Sequence, residues 1–184
     1  MAPTHVALLR GINVGKAKRV AMADLRDLIE DLGYGDVRTL LNSGNVVFGA
    51  TGAVGRTAAL RIEEALVARL GIASRVIVLS AAEVVTVIDA NPLATIATDP
   101  SRLIISVLAQ PADRAKLLPL TRTDWAPERF AVGHRVGYVW CPNGILASRL
   151  SEAVGRVVGD AVTARNLATM MKIRLLLEPS KLRE

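Results

Sequence analysis

The sequence has few of the features that mark secreted, membrane or disulfide-bonded proteins. Its 184 residues include one cysteine, Cys141, so no internal disulfide can form, which is typical of a reducing compartment. No apolar run approaches the roughly 18–20 residues that span a bilayer. The first five residues lack the basic and apolar segments of an export signal. We therefore expect a cytoplasmic protein without a membrane segment.

Histidine is as scarce as cysteine, and this limits the chemistry available. Only two histidines are present, and His134 lies seven residues before Cys141 on one predicted strand. That strand would separate the two side chains by about 23 Å, too far for a nucleophile and its base. The sequence therefore predicts a structural thiol, no metal site and no cofactor.

Aromatic residues are also rare, at 3% of the chain, although its formal net charge is +6. Residues 1–79 carry ten basic and seven acidic side chains and residues 80–184 carry thirteen and ten, so neither half has a basic tail. Proteins that bind nucleic acid usually combine a dense basic face with stacking rings. We do not expect nucleic acid as a partner.

Apolar periodicity and turn residues predict six elements in the first eighty residues. They are a strand at His5–Leu9, a helix at Met22–Leu32 ended by Gly33, strands at Val37–Leu41 and Val46–Phe48, a helix from the N-cap Thr57 to Gly71, and a strand at Val76–Leu79. With right-handed crossovers, the order βαββαβ predicts a ferredoxin-like domain, in which both helices pack on one face of a four-stranded antiparallel sheet.

The second half repeats this order less cleanly. Ser80 and Glu83 match a capping box, so a helix should begin there and end before Pro92. Further elements are predicted at Leu103–Leu108, Ala112–Leu118, Phe130–Val132, Val136–Trp140, Ser148–Val158 and Arg165–Leu177. The predicted fold class is α/β (α+β), with two ferredoxin-like plaits in tandem. The predicted domains are residues 1–80 and a degenerate second plait at residues 81–184.

A glycine-rich loop after the first strand is the first candidate binding segment. It contains Arg10, Gly11, Asn13, Gly15 and Lys16. Three residues lie between its glycines where a P-loop has four, so it is not a nucleotide P-loop. Exposed backbone N–H groups beside cations could still hold a phosphate or carboxylate. The alternative is a turn that needs glycine for its backbone angles, surrounded by solvated charges.

The amide-rich turn of the first predicted hairpin is the second candidate. Asn42, Ser43 and Asn45 could converge on a ligand, or could simply form the turn. We expect the first and third strands to be parallel. On that expectation the hairpin opens at the end of the sheet opposite the glycine loop, and the two could not share one small ligand.

The start of the last predicted helix is the third candidate. Thr163 would be its N-cap and would place Arg165 and Asn166 in the first turn, where backbone donors are unsatisfied. An anion bound there would offset the unfavourable position of an arginine against the helix dipole. The alternative is an ordinary ion pair between Arg165 and a carboxylate.

Three blocks of the sequence resemble a known family. Val6–Gly15 (VALLRGINVG), Asn42–Phe48 (NSGNVVF) and Thr163–Thr169 (TARNLAT) are similar in sequence and order to the bacterial family labelled domain of unknown function 1697. The resemblance implies two ferredoxin-like plaits in tandem. It implies no activity, cofactor or catalytic residue.

Three classes of function follow from these residues. The first is a binding module for a small anionic ligand or nucleotide. The second is a homo-oligomeric or protein–protein interaction module. The third is a metal-independent enzyme that uses arginine and asparagine to stabilise a developing anion, although the sequence offers no general base or nucleophile for it.

Overall fold

The computed structural model describes residues 2–15, 18–52 and 54–178. The first half forms the predicted βαββαβ order and a following helix. Its elements are β1 (Thr4–Leu9), α1 (Met22–Asp31), β2 (Gly35–Leu40), β3 (Asn45–Gly49), α2 (Arg56–Leu70), β4 (Val76–Ser80) and α3 (Ala81–Asp89). The strands form one sheet in the order β2-β3-β1-β4, with every neighbouring pair antiparallel.

One face of this sheet packs against α1 and α2. Alternate residues of β1, such as Ala7 and Leu9, join Leu25 and Ile29 of α1 and Ile62 of α2 in one buried cluster. The other residues of β1, such as Leu8, are buried as well, which is why the strand sequence is continuously apolar rather than alternating. Both helices therefore lie on one face, as predicted.

The relative direction of β1 and β3 differs from the expectation. The two strands are antiparallel, from Thr4 opposite Gly49 to Leu8 opposite Asn45. The right-handed crossover makes β1 parallel to β2, and the hairpin then turns β3 back between them. β3 consequently begins where β1 ends. The prediction that the glycine loop and the hairpin lie at opposite ends of the sheet was wrong.

The helix boundaries depend on local capping. α2 ends at Gly71, whose φ of 65° is left-handed and whose N–H bonds the carbonyls of Leu66 and Val67. Thr57 is not the N-cap of α2, because the helix already begins at Arg56 after Gly55. The predicted capping box is confirmed: the Ser80 hydroxyl accepts from the Glu83 N–H at 3.2 Å, and the Glu83 carboxylate accepts from the Ser80 N–H at 2.8 Å.

The second half builds a second sheet. Its elements are β5 (Leu103–Leu108), α4 (Arg114–Leu117), β6 (Arg129–Val132), β7 (Val136–Trp140), α5 (Arg149–Val158), β8 (Val162–Asn166) and α6 (Leu167–Leu177), with 3₁₀ turns at Pro111–Asp113, Leu118–Arg122 and Ile145–Ala147. The strand order β6-β7-β5-β8 repeats that of the first sheet. The tandem-plait fold is thus confirmed.

The start of the last helix also differs from the expectation. Thr163 is a buried strand residue opposite Val107, and β8 continues to Asn166. Helix α6 begins at Leu167, and the Asn166 side-chain carbonyl accepts the Thr169 N–H at 2.9 Å. Asn166, rather than Thr163, is therefore the N-cap. Pairing with the central strand β5 extends the sheet through residues that local propensity assigns to a helix.

The described residues form two compact units. Residues 2–84 and 173–178 form the first, and residues 85–172 form the second. The division into domains 1–80 and 81–184 stays a prediction, because compactness does not show that either part folds alone. None of the helices formed by the described residues is long and apolar enough to cross a membrane.

Candidate functional site

The glycine loop and the amide-rich turn meet at one end of the first sheet. The Leu9 N–H, at the end of β1, donates to the Gly44 carbonyl at 2.8 Å. Gly44 has a φ of 76°, and a Cβ added there would lie 2.7 Å from Leu9 Cβ and 2.8 Å from Ile12 Cδ1. Only glycine satisfies both conditions. We call this region, residues 10–15, 18–20 and 41–44, the loop–turn end.

Asn13 holds the loop–turn end together. Its side-chain N–H₂ donates to the carbonyls of Val20 at 2.9 Å and Asn42 at 2.8 Å, and its side-chain oxygen accepts the Val20 N–H at 2.9 Å. Its backbone N–H donates to the Lys18 carbonyl at 3.0 Å. Both ends of the amide are thus used to close the loop and to join it to the turn.

Asn45 has a similar internal role within the hairpin. It is fully buried, and its side-chain N–H₂ donates to the Leu40 carbonyl at 2.9 Å and to the Ser43 hydroxyl at 3.0 Å. The two amides that the sequence places near a ligand are therefore engaged in holding the backbone. Ser43 and Asn42 are exposed at the turn.

The backbone angle φ alternates in sign along the loop. φ is positive at Gly11 (64°), Asn13 (55°) and Gly15 (62°) but not at Ile12 or Val14. Alternation of left-handed and right-handed residues turns successive N–H groups toward a common concavity, the arrangement called a nest. Among the described residues, an added Cβ at Gly11 or Gly15 would meet no atom within 4 Å, so this part of the chain leaves the space over both glycines open.

Cationic residues flank this loop in the sequence. Arg10 is partly exposed, and Lys18 and Arg19 are exposed. The backbone at Arg10 is fixed, because its N–H donates to the Arg75 carbonyl at 2.8 Å and its own carbonyl accepts the Ser74 hydroxyl at 2.9 Å. The first acidic residue in the sequence is Asp24. Lys16, also a predicted site residue, lies outside the described residues.

The loop–turn end also contains residues that the sequence analysis did not single out. Leu41 has a φ of 57°, which is costly for a leucine, and its side chain is 47% exposed. Val14 is 70% exposed. The apolar pattern assigned Leu41 to a strand, and no residue-level signal indicates that a leucine will adopt a left-handed backbone.

Arg165 and Asn166 belong to the second unit and not to a first helical turn as predicted. Arg165 lies in β8 opposite Ile105 and is buried. One guanidinium nitrogen donates to the Thr163 hydroxyl at 3.1 Å and to the Ala164 carbonyl at 2.7 Å. Burial lowers the pKa of Arg165 to about 10. Asn166 caps α6, so both side chains have structural partners.

The structure also bears on the single thiol and on metal binding. Cys141 is buried, with its sulfur 3.6 Å from the Ser151 hydroxyl. In the part of the chain that the structure describes, no three His, Cys, Asp or Glu side chains group closely enough to hold a metal ion.

Comparisons with known proteins give a family and a fold. A family described as "Protein of unknown function (DUF1697)" matches residues 2–138. The chain belongs to this family. The DUF1697 match contains the first two resembling blocks, while Thr163–Thr169 lies beyond it. No curated protein matches the sequence.

A solved structure supports the fold of this DUF1697 chain over nearly its whole length. The conserved bacterial protein SP0830 from Streptococcus pneumoniae is similar with a TM-score of 0.74 and 21% sequence identity, covering 96% of this chain and 99% of that one. At that identity the likeness extends to the fold alone.

Proposed function

We propose that this protein is a binding module for a small anionic ligand, which it binds at the loop–turn end. The observation that carries the proposal is the alternation of φ at Gly11, Asn13 and Gly15. That backbone pattern creates anion-binding concavities in unrelated proteins. Among the described residues, no acceptor is present for the backbone N–H groups of Gly11, Val14 and Gly15. These donors are therefore available to an anion.

Backbone strain supports the same region. In the part of the chain that the structure describes, four residues other than glycine have positive φ. Asp36 is explained by an irregularity in the pairing of β2 and β3, whereas Asn13, Lys18 and Leu41 all lie at the loop–turn end. Such conformations cost about 1–3 kcal/mol each and concentrate at functional sites.

Charge supports an anion over a neutral ligand. Arg10, Lys18 and Arg19 flank the nest in the sequence, and no carboxylate precedes Asp24 in the sequence. Arginine adds charge-assisted hydrogen bonds that are roughly twice as strong as neutral ones. The side-chain amides of Asn13 and Asn45 are engaged in hydrogen bonds within the protein. This engagement favours ligand binding at the loop–turn end over a catalytic role for these amides.

A phosphate titration followed by NMR tests the proposal. Inorganic phosphate should shift the amide signals of Gly11, Val14 and Gly15 saturably, while equal ionic strength from sodium chloride should not. Arg10→Ala should weaken binding roughly tenfold through loss of a charge-assisted bond. The control is Arg129→Ala, an exposed arginine on β6, which should bind as the wild type does. Unshifted loop amides, or identical affinity in Arg10→Ala, would refute the site.

A role as a homo-oligomeric or protein–protein interaction module is the second candidate. Ile145 and Leu146, in the 3₁₀ turn before α5, are exposed apolar residues, and Leu146 is fully exposed. Exposed apolar groups of this kind are common at interfaces. Light scattering across a concentration series tests self-association, and a monomer mass at every concentration would exclude it. Leu146→Ser should lower any association that is seen.

A further inference from the structure

We infer that the ligand of the loop–turn end is a mononucleotide, whose phosphate lies on the nest and whose base contacts Leu41 and Val14. This inference rests on the proposed function and adds the chemical class of the ligand. Its starting point is Leu41, which has two unfavourable properties at once. Its backbone is left-handed, which costs a leucine roughly 1–2 kcal/mol, and its side chain remains 47% exposed. Neither folding nor core packing accounts for a leucine at this position.

Val14 is a second exposed apolar residue of the loop–turn end. It is 70% exposed and follows Asn13, while Leu41 precedes Asn42. The Asn13 side chain and the Asn42 carbonyl are 2.8 Å apart, so these two apolar residues flank a single hydrogen bond. Each apolar residue is thus next in the chain to one of the two groups that this bond joins, and we place the base of the ligand there.

The cations lie around the same asparagine. The Asn13 N–H bonds the Lys18 carbonyl, and the Asn13 amide bonds Val20, which follows Arg19. The loop–turn end therefore combines backbone donors, exposed cationic residues and two exposed apolar residues within a few residues of Asn13 and Asn42. A free phosphate or a phosphosugar uses only the first two features. A mononucleotide uses all three, because its phosphate is anionic and its base has an apolar face that aliphatic side chains can cover.

A longer nucleic acid fits this surface less well. Single strands are usually held by aromatic platforms repeated along a basic groove. None of the described residues of the loop–turn end is aromatic, and the nearest ring-bearing residues in the sequence are His5, Tyr34 and Phe48. His5 and Tyr34 both contact Phe48, which is fully buried. The described residues of the loop–turn end thus supply apolar contacts for one base and lack the repeated aromatic platforms that hold a series of bases.

Three ligands that differ in the presence of the sugar and the base distinguish mononucleotide binding from binding of any small anion. Affinities of inorganic phosphate, ribose 5-phosphate and adenosine monophosphate are measured by calorimetry and by the NMR shifts of the loop amides. We expect adenosine monophosphate to bind about tenfold more tightly than ribose 5-phosphate, the gain from burying apolar surface on Leu41 and Val14. Leu41→Asn should reduce that advantage to about twofold and leave ribose 5-phosphate unaffected.

Asparagine is a suitable replacement because it tolerates the left-handed backbone better than leucine, so the variant should fold. Leu60→Asn, at a partly exposed leucine of α2, is the matched control and should keep the full advantage. Equal affinities for adenosine monophosphate and ribose 5-phosphate would overturn the inference and leave anion binding standing. Binding of none of the three would refute the proposed function as well. Binding of single-stranded RNA without the mononucleotide would overturn the inference in favour of a strand-binding surface.

Discussion

The two sheets have the same strand order, yet their central strands end differently. In the first, the Leu9 N–H donates to the carbonyl of Gly44; in the second, the Leu108 N–H donates to the carbonyl of Arg135 at 2.9 Å. The same place in the fold is thus held by a glycine in one unit and by an arginine in the other. The Arg135 guanidinium donates to the Leu108 carbonyl at 2.9 Å and to the Ala109 carbonyl at 3.0 Å. The second strand end is therefore covered by a side chain of its own hairpin.

Backbone strain follows the same division. Positive φ among the described residues of the second unit occurs at Gly144 and Gly159, away from the β6–β7 turn. Among the described residues of the first unit it occurs at several positions, such as Gly33 and Gly71, and at six residues of the loop–turn end, three of which are not glycine. One topology thus gives one covered, relaxed end and one open, strained end. On the proposed function, the connections and not the fold determine where this protein binds a ligand.

The largest effect is expected at Gly44. Gly44→Ala adds a Cβ 2.7 Å from Leu9 Cβ on a left-handed backbone, and should lower the free energy of unfolding by about 3 kcal/mol in urea denaturation. Gly11→Ala is the control, since it meets no atom within 4 Å and should cost about 1 kcal/mol for φ alone. Equal losses in the two variants would show that the close approach of Gly44 is not what fixes this end.

Asn13 should have the next largest effect. Asn13→Ala removes three side-chain hydrogen bonds, and we expect the free energy of unfolding to fall by about 2 kcal/mol. Hydrogen exchange at the Val20 amide should accelerate in the same variant. Asn42 contributes its backbone carbonyl to this network, so Asn42→Ala should be close to neutral. If Asn42→Ala costs as much as Asn13→Ala, Asn13 does not hold the loop and turn together.

Arg135 tests the covered end. Arg135→Ala removes the bonds to the carbonyls of Leu108 and Ala109 and should cost about 1.5 kcal/mol. Arg156→Ala, which removes an exposed ion pair to Glu152, should cost less than about 0.5 kcal/mol. Both are measured by urea denaturation. A loss at Arg135 no larger than that at Arg156 would mean that the guanidinium does not stabilise this end.

The smallest expected effect is an increase in the free energy of unfolding. Leu41→Asn relieves a left-handed leucine, so it should raise the free energy of unfolding by roughly 1 kcal/mol. His134→Asn, in the corresponding turn of the second unit, starts from an ordinary φ and should bring no gain. A thermal melt of the two variants makes the comparison. Destabilisation by Leu41→Asn would mean that the exposed leucine contributes to folding, and the strain argument would fail.

Much of the fold could be predicted from local sequence signals. The capping box at Ser80 and Glu83 and the glycine after α2 are short-range devices whose residues contact each other, so their spacing carries the information. The start of α6 could not be predicted in this way. Thr163 and Arg165 pair with β5, some sixty residues earlier in the chain, and that pairing prevails over a local helix signal.

The candidate site could not be predicted from local sequence patterns, because it depends on the relative direction of two strands. Asn13 and Asn42 come together because β3 is antiparallel to β1, and the wrong strand direction separated them in the prediction. The left-handed backbone of Leu41 could not be predicted either, since the apolar pattern favours a strand there. The side-chain bonds of Asn13 and Asn45 explain why amide-rich turns can indicate structure as readily as binding.

The most direct test of ligand binding at the loop–turn end is a crystal structure of the protein with adenosine monophosphate. We expect the phosphate against the backbone N–H groups of Gly11, Val14 and Gly15 and the base beside Leu41, with no ligand at the end of β5 that Arg135 covers. A nucleotide bound at that covered end, or an empty loop–turn end in crystals saturated with the ligand, would contradict the assignment of binding to the first unit.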